Sequence, residues 1–125
     1  MTLSNLLQKT ERNSPILQGT FGLERESLRI NDLHRLAQTP HPESLGKRSF
    51  HPYIQTDYSE PQLELITPIS QSTREALRIL GAITDVASRS MERSEYLWPL
   101  SMPPQITEDE IRIAALESDY EYQYR

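Results

Sequence analysis

The stretch Phe21–Ile30, FGLERESLRI, constrains this chain more than any other. It reads as a β-strand, in which residues two apart point the same way. One face then carries Gly22, Glu24, Glu26, Leu28 and Ile30; the other carries Phe21, Leu23, Arg25, Ser27 and Arg29. Neither face is cleanly apolar. Glu24 and Glu26 stand side by side, and neighbouring carboxylates raise each other's pKa unless a cation or hydrogen-bond donors lie between them. A strand with core residues at one end and paired acids at the other predicts a site at the sheet surface.

The segments around it can be read for what they add. Leu3, Leu6 and Leu7 form one apolar stripe of a short opening helix, capped by Thr2 or Ser4 and ended at Asn13-Ser14-Pro15. After the strand, Asn31-Asp32 reads as a turn, Arg35–Gln38 as a short return strand, and His41–Gly46 as a single helical turn with glycine past its end. The chain reads as extended from His51 to Ile69, with Gln62–Thr67 a strand between two prolines. Leu63 and Leu65 share one of its faces; Gln62, Glu64 and Ile66 share the other. Ser72-x-x-Glu75 is a capping-box pattern. It opens a helix whose Ala76, Ile79, Leu80, Ile83, Val86 and Ala87 recur at helical spacing. Gly81 inside that helix suggests close packing. The proline-rich Leu97–Pro104 cannot be a helix interior and reads as a stiff loop. A further helix is marked by Thr107 as cap, acids at 108–110, and a staple from Ile106 to Ile111.

The expected architecture is α+β: antiparallel strands over Thr20–Ile30 and Tyr53–Thr67, with the Ser72–Met91 helix covering one face. At 125 residues the chain is about one domain. A net charge of −5, with no basic stripe, excludes a phosphate-backbone binder and suits cations better. With no cysteine, thiolate chemistry and disulfides are excluded, which fits a reducing cytosol. The N-terminus has no apolar run of secretory length, and nothing approaches a membrane span of about 20 apolar residues. A soluble, cytoplasmic protein is expected, with neither nucleic acid nor membrane as partner. The chain stops at DYEYQYR, a tyrosine-rich amphipathic run that reads as an element cut short.

Glu24, Glu26, Asp57 and Glu64 fall on two extended segments that can pair in one sheet. Such hard oxygen donors suit Mg²⁺ or Mn²⁺, and protein-bound Mg²⁺ commonly also holds nucleotide phosphates. By spacing alone, a solvated face with Glu24 and Glu26 paired to Arg25, Arg29 or other bases fits better. His34, His41 and His51 are far apart and read as turn residues. Tyr120, Tyr122 and Tyr124 alternate and favour core or interface packing over ligand stacking.

Three longer motifs shift that balance. GLERESLRI (Gly22–Ile30), TDYSEPQLELITP (Thr56–Pro68) and LWPLSMPP (Leu97–Pro104), in this order, strongly resemble the N-terminal region of bacterial glutamate–cysteine ligase. The PPQITEDEIRIA run leans towards the form fused to glutathione synthetase. The resemblance covers nearly the whole chain, and the family's catalytic region is several times longer. It implies that residues 1–125 are the opening part of a larger glutamine-synthetase-like ligase fold.

It also implies an ATP-dependent ligase that joins the glutamate γ-carboxylate to the cysteine amino group through γ-glutamyl phosphate, with Mg²⁺ or Mn²⁺. By motif position Glu24, Glu26, Asp57 and Glu64 resemble metal ligands. Glu64, Tyr58, Tyr124 and Arg125 resemble amino-acid-site residues, and Tyr58 stands where relatives often have phenylalanine. No catalytic residue is assigned. The partners implied are glutamate, cysteine, ATP and the remainder of a ligase chain, without which this chain is expected to be inactive. The alternative is a stand-alone module that binds a protein through the same open sheet face. The Trp98–Pro104 loop either borders the substrate pocket or braces the sheet against its helix.

Overall fold

In the computed structural model, residues 19–48 and 50–114 are described. The expected opening helix, Tyr120, Tyr122, Tyr124 and Arg125 lie outside them. The stretch that the sequence singles out forms β1 (Glu24–Asn31), next to the middle of an antiparallel sheet of order β2-β3-β1-β4. Its neighbours are β2 (Ile54–Thr56), β3 (Gln62–Ile66) and β4 (Glu95–Leu97). Pairing continues less regularly before β1, where Phe21 bridges Ser70 and Leu23 exchanges hydrogen bonds with Thr67. The strand expected from Thr20 is therefore regular only from Glu24.

The segment expected as one strand, Tyr53–Thr67, is instead a hairpin. Pro61 has no N–H to extend a ladder. The turn closes through Asp57 N–H to Gln62 O at 3.2 Å and Gln62 N–H to Ser59 O at 2.9 Å. The return strand at Arg35–Gln38 shrinks to one bridge, Leu36 to Ile30, beside the end of β1 that β3 leaves bare.

Register decides which residues face which side. Ser27 opposes Leu63, Arg25 opposes Leu65, and Ile54 opposes Leu65 from the other side. This face packs against α1 (Thr73–Ser90). Leu45, Ile54, Leu63, Leu65, Ile83 and Ala87 form the core, with Ile79, Leu80 and Leu97 at its margin. The Ser72 hydroxyl accepts from Glu75 N–H at 3.2 Å, as the capping pattern predicts. The Glu75 carboxylate reaches Gln71 N–H, one residue before the cap. Two expectations about α1 fail. Val86 is exposed, and a methyl group added at Gly81 would meet nothing within 4 Å, so Gly81 marks no close packing.

The helical turn expected at His41–Gly46 is present as a 3-10 turn, Glu43–Leu45, which drives Leu45 into the core. Gly46 ends it at φ 77°, a left-handed value that favours glycine. The helix expected after Thr107 is only one 3-10 turn, Glu108–Glu110, although its capping box forms. The chain then extends so that Ile113 bridges Ser59. Among the described residues no helix is long and apolar enough to cross a membrane.

Candidate metal- and substrate-binding face

The face of the sheet turned away from α1 carries the acids. Glu26 sits directly opposite Glu64, and Gln55 flanks Glu64 from β2. Glu24 follows two residues earlier on β1, and Asp57 continues the alternation of β2 into the turn. The Gln62 amide lies among them, donating to Glu26 Oε2 at 2.8 Å and Asp57 Oδ2 at 3.0 Å. The Glu64 carboxyl is held above its usual range by burial first, then by the charges of Glu24, Asp57 and Glu26. The three neighbouring charges add to burial in disfavouring the ionised form of Glu64.

A hard divalent cation fits this donor set chemically. Its charge would relieve the repulsion that Glu64 registers, and Mg²⁺ ordinarily retains water and phosphate oxygens besides one or two carboxylates. Among the described residues, no three His, Asp or Glu groups stand close enough to hold an ion as they are placed. An open carboxylate wall fits that shared mode of binding better than a closed protein cage.

Beside the wall is a cavity of about 260 Å³, lined by Glu26, Ser27, Leu28, Gln62, Trp98, Leu100, Ser101 and Pro103. The proline-rich loop forms its far side and is tied to β1 by two bonds. Trp98 N–H donates to Leu28 O, and the Ser27 hydroxyl donates to Trp98 O, each at 2.8 Å. The indole N–H donates to Met102 O at 2.6 Å, closing the loop on itself. The loop thus borders the cavity and braces the sheet edge at once.

The opposite side of β1 is polar in a different way. Arg29, offered with Arg25 as a solvated ion-pair partner for the acids, is instead 1% exposed on the opposite face. Its guanidinium donates to Thr39 Oγ1 and Thr39 O at 2.7 Å and to Glu60 O at 3.0 Å, and pairs with Glu95 at 3.3 Å. Burial lowers its pKa, while Glu95 and Glu60 act against that shift. His41, read as a turn residue, is buried, with Nδ1 2.7 Å from the Thr56 hydroxyl.

The structure therefore brings Glu24, Glu26, Asp57 and Glu64 to one face. Tyr58 is exposed on the adjoining turn and does not line the cavity. Its carbonyl accepts from Ala114 N–H at 3.0 Å, so residues 112–114 run along the 58–60 turn. Gln62 joins the site without having been singled out as ligand-binding, whereas Trp98 belongs to the loop read as bordering a substrate pocket or bracing the sheet. For Gln62 the signal was there, since it alternates onto the Glu64 face.

The chain matches the glutamate–cysteine ligase family model over residues 4–124. It is 68% identical over its whole length to the glutathione biosynthesis bifunctional protein of Streptococcus mutans and 63% identical to that of Streptococcus agalactiae. It spans 17% of the length of each. A crystal structure of glutamate–cysteine ligase from Francisella tularensis in complex with AMP matches 76% of this chain and 19% of its own, with a TM-score of 0.74 and 34% identity. A bifunctional glutathione synthetase from Pasteurella multocida matches 86% of this chain and 14% of its own, with a TM-score of 0.72 and 44% identity.

Proposed function

The chain belongs to the glutamate–cysteine ligase family, and from that premise we propose that its acid face forms part of the metal and amino-acid site of an ATP-dependent ligase. The reaction joins the glutamate γ-carboxylate to the cysteine amino group through γ-glutamyl phosphate, the first step of glutathione biosynthesis. Glu24, Glu26, Asp57 and Glu64 would hold Mg²⁺ or Mn²⁺, whose positive charge would offset that of the phosphate. Gln62 orients Glu26 and Asp57 with its amide, and Trp98 forms part of the wall of the adjoining cavity. Tyr58 and Glu64 contact amino-acid substrate, together with Tyr124 and Arg125. A chain spanning 17% of its relatives' length supplies only part of such a site. Alone it is inactive as a ligase, because groups that act as a unit lose activity together. The same reading has it working in the cytoplasm, where ATP and both amino acids meet.

The observation that carries this reading is the gathering of four carboxylates on one sheet face, with Glu64 pushed upward by burial first and then by the other three. Trp98, the sole tryptophan, lines the cavity together with Glu26 and reports on it directly. Titrating Mn²⁺ should quench Trp98 fluorescence saturably in the wild-type chain and far more weakly in Glu24→Gln plus Glu26→Gln. Equal affinity in the two proteins would sink the ligand assignment. ATP hydrolysis dependent on glutamate and cysteine, by this chain alone, would overturn the inactivity.

A further inference from the structure

Three of the four acids stand on the β1–β3 ladder, where backbone pairing fixes their spacing: Glu26 opposite Glu64, and Glu24 opposite Ile66. Asp57 is different. It lies one residue past β2, so its position depends on how the turn to Pro61 is held.

That turn is held at Glu60, which is buried. The Glu60 carboxylate accepts from His41 N–H at 2.8 Å and pairs with Arg48. Its carbonyl accepts from Arg29 Nη2 at 3.0 Å, and its N–H donates to Arg112 O at 2.8 Å. Arg29 is itself fixed by Thr39 and Glu95. Four segments distant in sequence thus converge on one residue, three positions from Asp57. Gln62 carries the constraint to the front of the sheet, bonding the Asp57 backbone through its carbonyl and the Asp57 and Glu26 carboxylates through its amide.

We propose that Glu60 is a positioning residue, whose clamp by Arg29, Arg48 and His41 sets the Asp57 carboxylate against Glu26 and Glu64. It thereby tunes the affinity of the acid face for a divalent cation without touching the cation. This inference rests on the metal-site reading above.

The test is a double-mutant cycle read by Mn²⁺ affinity in the wild-type chain, Glu60→Gln, Asp57→Asn and the pair. Supporting residues behind metal ligands typically matter about tenfold or more in affinity. Glu60→Gln should therefore weaken Mn²⁺ binding about tenfold, with no further loss once Asp57→Asn is present, because the clamp acts through Asp57. Amide exchange at Asp57 should quicken while the β1–β3 ladder keeps its protection. Should Glu60→Gln fail to fold, Arg48→Met removes the ion pair but leaves the Glu60 side chain and its bond from His41, and a smaller loss with the same dependence on Asp57 is expected. Unchanged affinity, or an equal loss with and without Asp57, overturns the clamp. A wild-type chain that fails to bind Mn²⁺ overturns the metal reading and the clamp with it, an outcome distinct from binding that ignores Glu60.

Discussion

Glu64 is the residue at which the electrostatics of the acid face are most exposed to test. Its folded pKa lies above the unfolded carboxylate value of about 4.3. The folded chain therefore binds more proton between the two values, and folding is favoured below them and disfavoured as pH rises through the folded pKa. Glu64→Gln should make the metal-free chain more stable near neutral pH, by about 0.5 kcal/mol for a like-charge pair across strands. The gain should vanish near pH 4, and urea unfolding at the two pH values checks it. On the other side of the strand, Arg29→Met strands the buried Glu95 carboxylate, and breaking such a pair costs about 3–5 kcal/mol. A urea midpoint close to that of the wild type would show the pair to be dispensable. Alternation along β1 was legible in the sequence and put Glu24 and Glu26 on one face with Arg29 on the other. It could not say which face was buried, because that depends on partners as remote as Thr39 and Glu95.

At the scale of elements, strong local signals survived and weak ones yielded to tertiary pairing. The α1 cap, its core stripe apart from Val86, and the Gln62–Ile66 strand form as their patterns indicate. The hairpin at Asp57–Pro61 was missed because the turn carries no glycine and is braced at Glu60 by long-range bonds to Arg29, Arg48 and Arg112. The expected helix after Thr107 stops at Glu110, because Ile113 is taken up by pairing with Ser59. β4 was hidden in the approach to a proline-rich loop, and only its pairing with β1 reveals it. Gly81 shows a sequence inference failing for a simple reason: glycine in a helix does not require a close neighbour, and here there is none. Gly81→Ala should accordingly stabilise the chain, by about 0.8–1.0 kcal/mol from helix propensity alone. A lowered thermal midpoint would mean that Gly81 does meet a close neighbour.

For the whole molecule, the sheet separates two kinds of charge. Behind β1, cations and anions are paired and buried, as in Arg29 with Glu95 and Arg48 with Glu60. In front, four acids share one face, where the Gln62 amide donates to Glu26 and Asp57. The first arrangement holds the fold together; in the second, like charges repel, as the pKa of Glu64, raised by burial and then by its neighbours, records. A ligand that binds only the folded state adds stability by mass action, about 2.7 kcal/mol at one hundred times its Kd. The thermal midpoint of the wild-type chain should therefore climb with Mg²⁺ or Mn²⁺ concentration, beyond what potassium gives at matched ionic strength. Glu24→Gln plus Glu26→Gln should do the reverse on both counts. With a chelator present the variant should melt above the wild type, since two repelling charges are gone. With the divalent cation in excess it should melt below it, since the binding energy is gone too. Crossing of the two melting curves is the signature of acids assembled for a cation, and parallel shifts in both proteins would reduce the face to an ordinary charged surface.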